Sequence, residues 1–175
     1  MSKKLVWLFI TITSIQAANA SGTITIQLVE YNHPDGKDIG GICCENFSKD
    51  GCKAECDPYF VLCLKSYRTG KCESSKTTDR TTDVGHIQFG SSIGTTQNNI
   101  VINVSGSMSD LDLSIDVLDS DSDGIFDQKD DLIDTLAQRM QLIPTISSQP
   151  PAVFTDLELQ GSRTSISLRY RAQCD

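Results

Sequence analysis

The chain has 175 residues, of which 15 are lysine or arginine and 23 are aspartate or glutamate, so its formal net charge at pH 7 is −8. A net acidic chain gains nothing from contact with phosphate backbones, which argues against nucleic acid as a partner. The length is that of one ordinary domain with a core of its own and leaves no room for a second domain.

The N-terminus has the organisation of a secretory signal peptide. Lys3 and Lys4 form a short positive region, the segment from Leu5 to Ile15 is mostly apolar, and Ala18-Asn19-Ala20 is a small-residue cleavage site. The apolar segment is shorter than the roughly 20 residues that a helix needs to cross a bilayer. We therefore predict that residues 1–20 are removed during export, which would shift the net charge from −8 to −10 because two lysines and no acidic residue are lost.

All seven cysteines lie in the mature part of the chain, and six of them fall within thirty residues. In an exported chain this density indicates a disulfide framework, although the spacing does not choose among the 15 pairings that six cysteines allow. A zinc site is the alternative, and the oxidising secretory route counts against it. The six clustered cysteines are Cys43, Cys44, Cys52, Cys56, Cys63 and Cys72. The seventh, Cys174, either stays a thiol, pairs between chains or belongs to a module outside this chain.

Alternation of apolar and polar residues dominates the mature chain and predicts half-buried strands of a β-sandwich or barrel. The clearest alternating segments are residues 23–28, 100–104, 111–117 and 165–171. Residues 59–67 are apolar on both faces, which is typical of a more central strand, and Cys63 would anchor the disulfide framework there. Residues 73–85 are rich in serine, threonine and aspartate and are expected to form a polar connector.

Residues 119–130 have the spacing of a calcium-binding loop. Oxygen ligands stand at positions one, three, five, seven, nine and twelve of the segment, and a glycine at position six permits a sharp turn, as Ca²⁺ requires. The predicted ligands are Asp119, Asp121, Asp123, the backbone carbonyl of Ile125, Asp127 and Asp130. The alternative is a solvated acidic turn that binds no metal ion.

The next segment has a helical period. Its apolar residues recur at intervals of about three to four positions and are Leu132, Ile133, Leu136, Met140 and Ile143. The helix dipole would favour the negative charges near its start, and Pro144 would end the helix. These acidic residues are Asp130, Asp131 and Asp134. We therefore expect an all-β sandwich into which one short helix is inserted.

The predicted mature chain has two Asn-x-Ser tripeptides, at Asn46 and Asn103, that are candidate glycosylation sites. Asn46 lies in the cysteine-rich connector and is the better candidate, whereas Asn103 requires a solvent-facing position on its strand. His33 and His86 are expected to be loop and strand-surface residues. The sequence contains no nucleophile motif, no His-Glu pair at metal spacing and no glycine-rich phosphate loop. We therefore predict that the protein is not an enzyme and uses no organic cofactor.

Between residues 43 and 72 the chain reads Cys-Cys, then Cys-x3-Cys-Asp-Pro-Tyr-Phe-Val-Leu-Cys-Leu-Lys-Ser-Tyr, then a further cysteine. This pattern resembles, almost residue for residue, the N-terminal domain of Notch ligands of the Delta, Serrate and Jagged type. The similarity extends to residues 22–28, 86–90, 99–104, 132–139 and 168–175. The chain departs from the family at residues 102–107, where members usually have an aromatic-rich strand that ends in Trp-Pro.

The resemblance implies a β-sandwich of the calcium-dependent lipid-binding (C2) type over residues 21–172. It also implies that Cys174 pairs inside a following module, named for Delta, Serrate and Lag, whose start would be residues 173–175. The implied function is extracellular: contact with Notch receptor modules and with phospholipid headgroups, by a secreted protein or by the ectodomain of a type I membrane protein. A secreted calcium- and phospholipid-binding protein that does not engage Notch is the alternative.

Overall fold

The computed structural model describes residues 21–44, 52, 56–82, 84–105, 108, 111–120, 130–140, 142, 145–146 and 153–175. Within these residues there are twelve strands and no α-helix. The strands are β1 (Gly22–Asn32), β2 (Pro58–Ser66), β3 (Cys72–Thr77), β4 (His86–Gln88), β5 (Ser92–Ile93), β6 (Thr96–Gln97), β7 (Ile100–Val104), β8 (Leu111–Asp119), β9 (Asp131–Arg139), β10 (Thr145–Ile146), β11 (Thr155–Gln160) and β12 (Ser165–Cys174).

Two antiparallel strands, β1 and β12, form the centre of the larger sheet and pair over their whole length. On the outer side of β1, β7 pairs with its first half and β4 with its last residues. On the outer side of β12, β11 pairs in antiparallel and β10 in parallel orientation. The second sheet has the order β3-β2-β8-β9, and β5 and β6 form a separate small hairpin. Except for the pairing of β10, all these contacts are antiparallel, which allows short connections.

A single apolar core lies between the two sheets. Every second residue along most of β1 and β12 is buried, because alternate side chains of a strand point to opposite faces of the sheet. Burial of one such Leu or Ile side chain stabilises the folded state by roughly 1.5–3 kcal/mol relative to an exposed side chain. Fully buried members from both sheets are Ile24, Ile26, Leu28, Leu62, Leu64, Leu113, Ile115, Ile166 and Leu168. The predicted half-buried strands are therefore present and enclose one core.

The predicted helix after the acidic segment was wrong. Residues Asp131–Arg139 form strand β9, which pairs with β8 along its whole length. Ile143 and Pro144, the expected end of the helix, lie outside the described residues.

A β-bulge explains why this strand has a helical period. The register of β9 against β8 shifts by one position, so that Ile133 is an extra residue in β9. Consequently Ile133 and the next residue, Asp134, are both buried, and Leu136 is buried as well. In the sequence, buried apolar residues three positions apart in a bulged strand have the same spacing as residues on one face of a helix.

The strands place most long connections at one end of the sandwich, which we call the loop end. There β1 ends beside the start of β12 in one sheet, and β8 ends beside the starts of β2 and β9 in the other, as the cross-strand pairs Asn32↔Ser165, Pro58↔Asp119 and Asp119↔Asp131 show. A hydrogen bond from the amide of Thr164 to Asp134 connects the two sheets at this end. The predicted calcium loop and most of the cysteine-rich segment therefore connect strands at the same end.

Candidate functional site at the loop end

The first connection at the loop end, residues 33–44, is attached to its neighbours by backbone hydrogen bonds. The amide of His33 donates to the carbonyl of Gly85 at 2.7 Å, and the amide of Ile39 donates to the carbonyl of Leu132 at 2.9 Å. These bonds tie the connection to both sheets, because Gly85 precedes β4 and Leu132 belongs to β9.

Three disulfides staple the fold, as the sequence predicted. They join Cys43 to Cys52, Cys44 to Cys56, and Cys63 to Cys72. The first two hold the segment before β2 at the loop end, and the third links β2 to β3. Cys174 is buried at the end of β12 and belongs to none of these three bridges. Its pairing within a following module stays a prediction.

His33 is fully buried beside the Cys44–Cys56 disulfide. Its Nε2 lies 3.0 Å from the carbonyl oxygen of Lys37 and 3.2 Å from Asp35 Oδ1, and its Nδ1 lies 3.5 Å from Cys56 Sγ. Burial lowers the pKa of His33, although Lys37 and Asp35 act in the opposite direction. His33, Cys44 and Cys56 are close enough to share a metal ion, but the two sulfurs are bonded to each other. The cluster is therefore a structural one in this oxidised state.

A buried carboxylate, Asp134, organises the turn between β11 and β12. It accepts hydrogen bonds from the backbone amides of Arg163 at 2.7 Å and Thr164 at 2.9 Å, and from the hydroxyl of Ser162 at 3.1 Å. Burial alone would raise the pKa of Asp134, but these hydrogen bonds outweigh it and hold the pKa below its usual value. A Cβ atom on Gly161 would collide with the same carboxylate, so this position requires glycine.

Sequence reasoning missed the role of Asp134 and placed it near the start of a helix. The groups that bind it lie about thirty positions away in the sequence. No local signal could have revealed this contact. Arg163, whose amide binds Asp134, also forms an ion pair of 2.6 Å with Asp35, which connects the turn to the first connection.

Only the two ends of the predicted calcium loop fall within the described residues. Asp119 is buried and its Oδ1 accepts a hydrogen bond of 2.7 Å from the amide of Asp57. Asp130 is exposed and accepts a hydrogen bond of 2.6 Å from the hydroxyl of Tyr59; burial and this bond raise the pKa of Tyr59 to about 12. The structure brings the two ends together, because Asp119 pairs with Asp131 across β8 and β9. The other predicted ligands, Asp121, Asp123, Ile125 and Asp127, lie outside the described residues.

The remaining sequence candidates lie apart from the loop end or outside the described residues. Asn103 is exposed on β7, which is the position that its glycosylation requires, whereas Asn46 lies outside the described part of the chain. His86 is exposed on β4, with its Nε2 2.9 Å from Glu30 Oε1. In the part of the chain that the structure describes, no helix has the length and apolar character needed to cross a membrane.

Comparison with solved structures shows the fold class. The Drosophila C2-DSL-EGF1 structure is 21% identical with a TM-score of 0.66, and the match covers 89% of this chain and 68% of that chain. A C2 domain of plant Extended Synaptotagmin 1 is 13% identical with a TM-score of 0.54, covering 89% and 97%. The calcium-bound pair of C2 domains of Extended Synaptotagmin 2 is 15% identical with a TM-score of 0.52, covering 87% and 45%. These likenesses confirm the predicted β-sandwich of the C2 type, and the three bridges described above confirm that it is cross-linked by disulfides.

Sequence comparison gives the family. No match was found among curated proteins. The sequence profile described as the N terminus of Notch ligand C2-like domain, in contrast, matches residues 21–172. Because this match spans nearly the whole chain, the protein belongs to the family of Notch ligand N-terminal C2-like domains.

Proposed function

We propose that the chain is an extracellular recognition domain that binds modules of the Notch receptor and acts by surface complementarity rather than catalysis. The family match over residues 21–172 carries this proposal. The three disulfides support the extracellular location, because such bonds persist in oxidising compartments.

We place the receptor contact at the loop end, where a tight turn exposes two aliphatic side chains. Ile39 and Ile42 are 51% and 68% exposed. The turn is held by a hydrogen bond of 2.8 Å from the amide of Asp38 to the carbonyl of Ile42 and by one of 2.6 Å from the amide of Ile42 to Asp38 Oδ1. Gly41 adopts a positive φ of 87°, which favours glycine. Apolar side chains on a pre-ordered turn are suited to act as interface anchors, because little conformational entropy is lost on binding.

Binding of the secreted chain to purified Notch receptor extracellular modules tests this proposal. We expect the double substitution Ile39→Ser and Ile42→Ser to weaken binding about tenfold or more, since each truncated anchor costs about 1–2 kcal/mol. Val101→Ser is the matched control, because Val101 is 45% exposed on the outer face of β7. The proposal would fail if the unaltered chain did not bind, and the contact surface would be wrong if the control weakened binding as much as the double substitution.

The second part of the proposal is that the loop at residues 119–130 binds Ca²⁺. The hydrogen bonds of Asp119 to Asp57 and of Asp130 to Tyr59 at the start of β2 support it, because they fix the two ends of the loop. Calorimetry on the secreted chain should detect calcium binding at or below millimolar concentration. The double substitution Asp121→Ala and Asp123→Ala should abolish the heat, whereas Asp156→Ala on β11 should not. Absence of heat with the unaltered chain would exclude the calcium site.

Phospholipid binding is the alternative function, in which the domain does not engage Notch. The C2-type fold supports it, since it is shared with synaptotagmin-related domains. Sedimentation with phosphatidylserine vesicles distinguishes the two: calcium-dependent co-sedimentation without receptor binding would favour the alternative. Receptor binding without co-sedimentation would favour the recognition function alone.

A further inference from the structure

A pocket of about 440 Å³ opens on the outer face of the larger sheet. Its floor is formed by residues 27–29 of β1 and by Arg169 of β12, and its rim by residues 89–91 and 98–99. Gln27 and Arg169 point outward, because the residues on either side of each are buried in the core. This volume lies within the range of about 300–1,000 Å³ that is usual for small-ligand sites.

One buried side chain, Asn98, gives the pocket a fixed wall. Its Oδ1 accepts a hydrogen bond of 2.9 Å from the amide of Leu28, and its Nδ2 donates to the carbonyls of Leu28 at 2.7 Å and Gly90 at 2.9 Å. The Asn98 amide thus takes the place of a neighbouring strand in the gap between β7 and β4, which pair with β1 on either side of Leu28. The rim is therefore anchored to the sheet rather than loosely attached.

Polar side chains on the pocket floor form a chain of hydrogen bonds that orients a guanidinium group. Arg169 donates from Nε to Gln27 Oε1 at 2.6 Å, and Gln27 donates from Nε2 to Asn99 Oδ1. Arg169 also lies over the ring of Phe154, 5.2 Å from its centroid. Both Nη groups of Arg169 and the Nδ2 group of Asn99 remain as donors, because neither residue uses them in these contacts.

The Arg169 guanidinium has no ion-pair partner among the described residues. Asp156 is its cross-strand neighbour on β11 but does not approach it within salt-bridge distance. Two parallel N–H donors of an arginine match the two oxygens of a carboxylate. The pocket therefore presents an oriented guanidinium group that can bind an anionic group of a ligand. It does so although the net charge of the chain is −8.

We propose that this pocket binds a sugar that carries a carboxylate group. The carboxylate would pair with Arg169, ring hydroxyls would accept from Asn99 and exchange hydrogen bonds with Ser91, and ring carbons would contact the apolar wall of Val29 and Phe89. A bare anion would leave the amide, the hydroxyl and the apolar wall without a partner, and the volume exceeds what one needs. The site lies on the sheet face and is independent of the proposed receptor contact at the loop end.

Saturation-transfer NMR on the secreted chain, in buffer without phosphate, tests the proposal. The probes are glucuronate, as in glycosaminoglycans, N-acetylneuraminate, as at the ends of glycoprotein chains, and glucose, the neutral counterpart of glucuronate. We expect transfer to the ring protons of at least one acidic sugar and affinity for glucose weaker by about tenfold or more, as loss of a charge-assisted pair predicts. The acidic sugar that binds more tightly identifies the source of the ligand.

Substitution of Arg169 provides the specific control. Arg169→Gln should abolish transfer, whereas Arg171→Gln should leave it unchanged, because Arg171 lies on the same strand over the same Phe154 ring but does not line the pocket. Thermal unfolding of both variants checks that each is folded. The proposal is overturned if neither acidic sugar shows transfer, if glucose binds equally well, if Arg169→Gln binds as the unaltered chain does, or if acetate or sulfate competes as strongly as the sugars.

Discussion

At the scale of single residues, the loop end depends on buried polar groups that connect distant parts of the chain. Asp134 is 2% exposed and accepts hydrogen bonds from two backbone amides of the β11–β12 turn. His33 is fully buried, with the Cys44–Cys56 disulfide beside it. Buried groups of this kind are costly to leave without partners, so their removal should affect stability more than the loss of surface charges.

Replacement of Asp134 tests the first of these groups. Asp134→Ala would leave the amides of Arg163 and Thr164 without an acceptor, and we expect a loss of about 2–4 kcal/mol in the free energy of unfolding. Asp131→Ala, an exposed position on the same strand, should change it by less than about 0.5 kcal/mol. Chemical denaturation of both variants without calcium measures the difference. Equal effects of the two substitutions would show that the turn does not depend on the carboxylate.

Because the imidazole of His33 is buried, we expect the free energy of unfolding to depend on pH. Its folded-state pKa is depressed, mainly by burial, despite the raising effect of Asp35 and Asp134. The unfolded chain therefore binds a proton near pH 6.5 before the folded chain does, and the free energy of unfolding should fall as the pH is lowered from about 7 to about 5.

Denaturation at both pH values, for the unaltered chain and two variants, measures this effect. His33→Gln should reduce the loss of stability at the lower pH, whereas His86→Gln, at an exposed position on β4, should not. A loss of stability that is the same in all three proteins would assign the effect to other groups.

At the scale of elements, the sequence predicts strands well where alternation is uninterrupted. Strands β1, β7, β8 and β12 follow from the sequence because each buries every second residue over most of its length. Strand β9 has the sequence pattern of a helix because the bulge at Ile133 changes the spacing of its buried residues. Strand β3 has the pattern of a connector because it has almost no buried side chain. Such an edge strand is specified by its partner β2 and not by its own pattern.

The exposed edge strand β7 carries Asn103, the candidate glycosylation site that lies within the described residues. Asn103 lies on its outer face, opposite Thr23 of β1, whereas its neighbours Ile102 and Val104 are buried. We expect the secreted chain to lose mass on treatment with an N-glycosidase and Asn103→Gln to remove one glycan.

Intact-mass analysis of the secreted proteins measures this modification. Asn32→Gln is the matched control, because Asn32 is exposed at the end of β1 but does not begin an Asn-x-Ser or Asn-x-Thr tripeptide. The control should keep the full glycan mass. An unaltered mass for Asn103→Gln after correction for the substitution would contradict the prediction.

At the scale of the whole molecule, a C2-type sandwich supplies the frame, and two disulfides cross-link the long connection between β1 and β2 at one of its ends. The β-strands and the disulfide framework followed from alternation and cysteine density, whereas the C2 type of the sandwich followed from the family resemblance. The disulfide partners, the Asp134 contacts and the pocket beside Arg169 did not follow, because each depends on which distant segments the sheets bring together. The surface chemistry of the domain is therefore set by topology as much as by local sequence.

Hydrogen exchange of the secreted chain, measured with and without an excess of Notch receptor extracellular modules, tests most directly the proposed recognition of the receptor by the loop end. We predict slower exchange at residues 38–42 in the complex and unchanged exchange in the outer strands β7 and β11, because binding protects the amides that it covers. Protection confined to β7 and β11, or no protection at all at saturating receptor, would contradict the claim.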